Sequence, residues 1–406
     1  MSPARQDAPL TPLDVASGLV FGVEGRPPML GRDDVQSPRA ALEAAVLDAL
    51  RRPPCVVTFS GGLDSSVVLA VASHVARREA LELPVAATLR FPGRPEADES
   101  SWQERVIGRV PVTDWQRLDV ESELSVVGPV ATTVLREHGL LWPFNAYVHV
   151  PLFDLARGGS ALTGFGGDEL FLPSRWDRLA TLRSRHTRPR AADIKRAAFA
   201  VAPSPLRAFV LRRRGGGPRL DWLRPDAQAA LTAAWASSEA AAPIGPQARG
   251  LWRLTLRSIQ IAGRSLEALA TNRAVNLVNP FTAPGVVVAF AHDRAHPTAA
   301  RAERLRTAVG DLLPPALFER RTKAGFNAAL WGEDARALAD EWSGEGVDPS
   351  LVDPDAVKAQ WSAEAPDGRT FTMLQAAWLS RSSRQGTARE EAELSPPATR
   401  ATPGDG

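Results

Sequence analysis

Cysteine is nearly missing from this sequence: Cys55 is the only one in 406 residues. No disulfide can therefore close within the chain, and a cysteine-based zinc site is excluded. Such usage suits a reducing compartment, and a cytoplasmic protein is expected. No run of 18 apolar residues occurs, so no membrane-spanning helix is expected. The opening MSPARQDAPLTPLD lacks the apolar core of a signal peptide. The six histidines show no metal-ligand spacing, so zinc is not expected through them either. Neither sign of charge dominates: 48 Lys and Arg against 46 Asp and Glu leave a net +2. The total therefore carries little information, and local charge is more informative. Internal repeats and heptad runs are absent.

What is present is an alternation. Residues 1–36 are rich in Pro and Gly and read as an irregular extension. Residues 37–50, SPRAALEAAVLDAL, read as a helix with Ser37 as N-cap and Pro38 in its first turn. Then CVVTF, VAATLRF, WQRLDV and SALTGF read as strands, with helical stretches such as LDSSVVLAVASHVARREA and DESSWQERVIGRV between them. Strands alternating with helices imply a parallel sheet with crossover helices. From about residue 175 the β-branched runs fade and the sequence reads as mostly helical to about 385. Residues 386–406 are polar and Pro-rich and read as a disordered tail. The expected class is α/β, a parallel-sheet core followed by a mostly helical C-terminal half. Residues 37–385 form the main domain, with a basic helical insertion at 183–220.

Chemistry concentrates where the first strand breaks, in CVVTFSGGLDSSVV. Ligands of a parallel sheet gather at the carboxyl ends of its strands. Ser60, Gly61 and Gly62 fall at such an end, just before a helix N-terminus. Glycines let the backbone turn tightly and approach a ligand, and the turn's N–H groups suit an anion. The hydroxyls of Ser60, Ser65 and Ser66 can add donors to phosphate oxygens. Asp64 would repel phosphate unless a cation lies between them, which calls for Mg²⁺. The string matches neither GxxxxGK[ST] nor GxGxxG. A second strand, Gly turn and acidic pair follows in ALTGFGGDELF, Ala161–Phe171. If its strand neighbours the first, Asp168 can face Asp64 across the metal.

SGGLDSS after a strand resembles the pyrophosphate loop of the ATP pyrophosphatases (adenine nucleotide α-hydrolase-like enzymes). Together with TGFGGDELF it resembles the synthetase half of the asparagine synthetase family, as do NLVNPFTAP and RRTKAGF, Arg320–Phe326, further on. The resemblance covers roughly residues 40–385 in the family's order. It implies that ATP is split between its α and β phosphates and that a carboxylate is adenylated, then joined to an amine. By the same resemblance Ser60, Gly61, Gly62, Asp64 and Ser65 hold pyrophosphate and Mg²⁺, and Asp168 holds metal. Phe59, Leu89, Thr163 and Gly164 line the nucleoside pocket, and Lys323 is a catalytic residue reaching the α-phosphate region.

Departures from the family pattern narrow the reading. Phe165 stands where asparagine synthetases have a glutamate, and phenylalanine can neither take a proton nor bind ammonium. Asn276 and Ala283 replace family acids. The family's glutaminase domain, with its N-terminal cysteine, has no room before Pro54, so this chain is not expected to hydrolyse glutamine. β-Lactam synthetases and lasso-peptide cyclases share the missing glutamate, and in them an amine of the substrate is the nucleophile. A peptide macrocyclase or tailoring amide synthetase of secondary metabolism is therefore expected ahead of asparagine synthesis from ammonia or with a separate glutaminase. An RNA-modifying ATP pyrophosphatase and a non-catalytic nucleotide-binding subunit are the other readings. Expected partners are a small-molecule or peptide carboxylate and amine, with a peptide carrier or glutaminase as candidate protein partners. The arginine-rich 183–220 segment lacks the aromatic interleaving of single-strand binders, which favours an acidic peptide over RNA.

Overall fold

The structure, a computed structural model, describes residues 10–28, 36–183, 188, 190–292, 300–322 and 324–394. Its centre is a five-stranded, all-parallel sheet in the order β3-β2-β1-β4-β5. The strands are β1 (Cys55–Thr58), β2 (Val85–Arg90), β3 (Asp114–Asp119), β4 (Ser160–Leu162) and β5 (Asn276–Val278). Four of them are the expected ones. The remainder is mostly helical as expected, and β5 is the strand that the sequence did not single out within it. Its three residues pair with β4 from Ser160↔Asn276 to Leu162↔Val278.

Side-chain alternation along the strands builds a three-layer sandwich. Cys55, Val57, Ala86 and Leu162 point into one core, which they share with the helices α2 (Pro38–Leu50) and α3 (Leu63–Arg78). Val56, Ala87 and Ala161 point into the other, against Val134, Phe153 and Leu269. α2 begins as expected, with the Ser37 hydroxyl accepting from Ala40 N–H at 3.2 Å and Pro38 in the first turn. α3 lies between sheet and α2 and is buried along nearly its whole length, which is why its sequence is apolar on more than one face. Cys55 is buried, and burial pushes its thiol up to about 11, so it is a packing residue.

A third core joins the two ends of the chain. It combines Trp331, Trp342, Trp361 and Phe371 with Val15, Ala16 and Trp222. Here the expectation of an irregular N-terminal extension is corrected. α1 (Pro12–Ser17) is a helix closed by a capping box between Thr11 and Asp14. It is tied down by Trp222 Nε1–H donating to the Ala16 carbonyl at 2.9 Å and by Arg257 at 3.0 Å from Asp14. The expected disordered tail is also shorter at its start. The last helix, Phe371–Leu394, runs past 385 because the REEAEL stretch consists of good helix formers.

Within the basic stretch the described residues form helices Ala191–Val201 and Ser204–Arg213. Several of its charges are engaged within the fold. Arg178 and Arg196 both pair with Asp193, at 3.0 and 2.9 Å, and buried Arg207 lies over the Trp176 ring.

Candidate active site

β1 and β4 are neighbours in register, Cys55↔Ser160 to Val57↔Leu162, so the loops that follow them leave the sheet side by side. This is the point where the strand order reverses direction, and a crevice forms there. The first loop is held in shape by its own hydroxyls. Ser60 N–H donates to Ser65 Oγ at 3.2 Å, the two hydroxyls lie 3.1 Å apart, and Ser66 Oγ–H donates to the Gly62 carbonyl at 2.7 Å. Gly61 has φ +84° and no room for a side chain, since a Cβ would lie 2.8 Å from Gln103 Cγ.

The second loop is built against the first. A Cβ on Gly164 would lie 2.9 Å from Ser65 N, and one on Gly167 would fall inside the Asp64 carboxylate. The glycines of TGFGGDELF thus serve a close approach between two loops. Asp64 is thereby brought to Asp168, and one guanidinium bridges them. Arg301 Nη2 is 2.5 Å from Asp64 Oδ1, and its Nη1 donates to Asp168 Oδ1.

The two carboxylates have different surroundings. The Asp64 side chain is 13% exposed and that of Asp168 54%. Burial pushes Asp64 up to about 6, although the positive charge of Arg301 pulls it back down. Its Oδ1 is buried and lies against the Arg301 guanidinium. A buried carboxylate oxygen that already draws a positive charge to it suits a hard cation. Among the described residues no group of three or more His, Cys, Asp or Glu converges on one point. Two protein carboxylates fit Mg²⁺, which completes its shell with waters and phosphate oxygens, rather than Zn²⁺.

A cavity of about 330 Å³ opens beside the first loop, lined by Leu89, Phe91, Ala97, Glu99 and Gln103 among others. Of the four residues expected around a nucleoside, Leu89 lines it. Phe59 does not: its ring is 1% exposed in the core, and its backbone continues the sheet through N–H to Ala87 O at 2.7 Å. Thr163 is equally buried, its hydroxyl donating to Asn279 Oδ1 at 2.5 Å. Gly164 faces Asp64 and Ser65. Phe165 packs against the second core.

Lys323 lies outside the described residues. Its neighbours are tied to the start of α4 (Ser100–Ile107). Ala324 N–H donates to Glu99 Oε1 at 2.9 Å and Gly325 N–H to the Glu96 carbonyl at 2.9 Å. The Phe326 ring meets Phe91 at 5.7 Å. Arg301 and Glu99 are site residues that sequence reasoning missed. Neither sits in a glycine turn, and each reaches its partner across more than a hundred residues.

A family model described as asparagine synthase matches residues 38–380. The chain belongs to the asparagine synthase family. Comparison with curated proteins gave no match. As a member of the asparagine synthase family it is an ATP-using synthetase of the kind that forms C–N bonds. Its all-parallel sheet with flanking helices is that of an ATP pyrophosphatase-like α/β core. Among the described residues no helix is long and apolar enough to cross a membrane.

Proposed function

We propose that this asparagine synthase family member is an AMP-forming carboxylate–amine ligase whose nucleophile is an amine of the substrate, giving an amide, lactam or isopeptide bond. The observation that carries the reading is the pairing of Asp64 with Asp168 at two adjoining strand ends, beside a loop built for an anion. In the first step a carboxylate oxygen attacks the α-phosphorus of ATP, the bond to the bridging oxygen breaks, and pyrophosphate leaves. In the second the amine attacks the acyl carbon, AMP leaves with the C–O electrons, and the amine gives up a proton.

Ser60, Gly61, Gly62 and Ser65 would hold the departing pyrophosphate, with Leu89 on the nucleoside side. Asp64 and Asp168 would hold Mg²⁺, which when bound neutralises phosphate charge. Arg301, already between the carboxylates, would be free to pair with phosphate oxygens when those carboxylates hold a metal. The role of Lys323 at the α-phosphate rests on the family resemblance. Phe165, partly buried against the second core, can serve neither as base nor as ammonium ligand. The amine must therefore arrive neutral, which favours a substrate amine in solution equilibrium over captured ammonium.

The test is pyrophosphate exchange into ATP with a panel of amino acids, dicarboxylates and short peptides, followed by oxygen-18 labelling of the carboxylate that responds. One labelled oxygen should appear in AMP. Label in inorganic phosphate, with ADP as the other product, would contradict adenylation. Product formation should also rise with pH as the amine deprotonates.

A further inference from the structure

The first turn of α4 touches both the phosphate loop and the Arg320–Phe326 segment. Glu99, Trp102 and Gln103 stand at i, i+3 and i+4, so they share one face. Gln103 Nε2–H donates to the Ser60 carbonyl at 3.1 Å and its side chain fills the space beside Gly61. Glu99 Oε1 accepts from Arg320 Nη2–H and from Ala324 N–H. Arg320 in turn donates through Nη1 to the Gly61 carbonyl at 3.3 Å and lies over the Trp102 ring at 5.1 Å.

The Glu99 and Arg320 side chains are only 6% and 10% exposed. A buried ion pair is weak evidence for stability, because desolvation offsets much of its attraction. A well-packed apolar pair would hold two segments together as firmly. What the carboxylate adds is direction: it fixes a guanidinium fork and a backbone N–H at once, and the fork reads the carbonyl of the phosphate loop itself.

We propose that Glu99 is a positioning residue that clamps the Arg320–Phe326 segment onto the phosphate loop through Arg320 and Ala324, setting that segment's distance from the nucleotide. Its kinetic consequence rests on the ligase reading; the clamp does not. Glu99→Gln keeps an acceptor for Ala324 and loses the charge, whereas Glu99→Ala loses both. Pyrophosphate formation should fall about 10-fold in Glu99→Gln and about 100-fold in Glu99→Ala, with KM for ATP moving less than about 3-fold, since a misplacement near 1 Å is worth about 10²-fold. Trypsin should cut after Arg320 and Arg321 at least about tenfold faster in both variants, reporting local opening. Adding Arg320→Met to Glu99→Ala should cost little more, as expected for two residues acting as one unit.

Unchanged cleavage in a folded Glu99→Gln variant would overturn the clamp. So would a KM for ATP that rises in step with the lost turnover, which would make Glu99 a nucleotide contact, or additive losses in the double variant. A wild-type chain that releases no pyrophosphate would sink the ligase reading alone; faster cleavage in Glu99→Gln would still support the clamp, and equal cleavage would still overturn it.

Discussion

The two glycine turns look alike in sequence and behave differently in the fold. SGGLDSS carries its own side-chain frame: its serines bond within the loop, Gln103 and Arg320 brace its carbonyls from outside, and its aspartate is drawn inward to 13% exposure. TGFGGDELF has one side-chain bond of this kind, Phe165 N–H donating to the Thr163 hydroxyl at 3.1 Å, beside backbone bonds from Gly167 N–H to the Gly164 carbonyl at 3.3 Å and Leu170 N–H to the Gly166 carbonyl at 2.9 Å. It takes its shape by lying against the first loop, with Gly164 and Gly167 pressed on Asp64 and Asp168 left half in water. One carboxylate is thus fixed and desolvated, and the other, though bonded to Arg301, is half in water. A metal bound between them would draw its geometry from Asp64 and a replaceable ligand from Asp168.

Exchanging the two aspartates for asparagine should make that asymmetry measurable. Asp64→Asn should lower pyrophosphate release by about 10³-fold, because no water can enter to replace a buried ligand, while Asp168→Asn should cost nearer 10²-fold. Both variants should fold. Equal losses, or a larger one at Asp168, would reverse the assignment of the rigid ligand. Gly167→Ala should resemble Asp64→Asn more than Asp168→Asn, since its methyl group would displace the buried carboxylate.

The same asymmetry predicts a pH dependence that belongs to Asp64. Its folded value, about 6, lies above the usual carboxylate range, so the fold favours the protonated form. The resulting stability is fully present below about pH 4, and it is lost as pH rises through 6. Above that the ionised, buried carboxylate costs up to about 3 kcal/mol, two pK units at 1.36 kcal/mol each. Asparagine imitates the protonated form. Asp64→Asn should therefore be the more stable protein in urea at pH 8, and its advantage should shrink as pH falls from 6 towards 4. Metal binding runs the other way: Mn²⁺ affinity of the wild type should weaken about tenfold per pH unit below 6. A pH-independent stability difference would place the perturbed group elsewhere.

How far these features were legible in the sequence depends on how local their cause is. β1, the glycine loop and the start of α3 announce themselves within a dozen residues, through an apolar run, two glycines and a helix period. α1 was legible too in its Thr11–Asp14 box, though surrounding prolines and glycines argued for an irregular segment. β5 was not, because three residues exist as a strand only by pairing with β4. Phe59 and Thr163 sit at the motif's places along the chain with their side chains turned into the core, an orientation the motif alone does not reveal. Arg301 and Glu99 carry no local signal at all. Their partners lie 133 and 221 residues away, at Asp168 and Arg320, and only the fold brings them together.

Arg301 offers the smallest and most discriminating perturbation of the two-turn comparison. Its guanidinium contacts both carboxylates, but the consequences differ with their solvation. Around exposed Asp168 water screens the pair, and its loss should matter little. At Asp64 the positive charge opposes the desolvation that drives the carboxylate upward. Arg301→Met removes that opposition while keeping much of the stem's apolar bulk. Asp64 should then titrate about one unit higher still, seen as a shift of the same size in the pH at which Mn²⁺ affinity begins to fall. At pH 8 the variant should bind Mn²⁺ more tightly in the absence of nucleotide, by about 3- to 10-fold, because the ion no longer competes with a resident cation. Pyrophosphate release should nonetheless decline, since Arg301 is then missing from the phosphates. A variant that binds Mn²⁺ no better without nucleotide would show that the guanidinium and the metal occupy separate places, and the bridge between the two turns would be a structural ion pair.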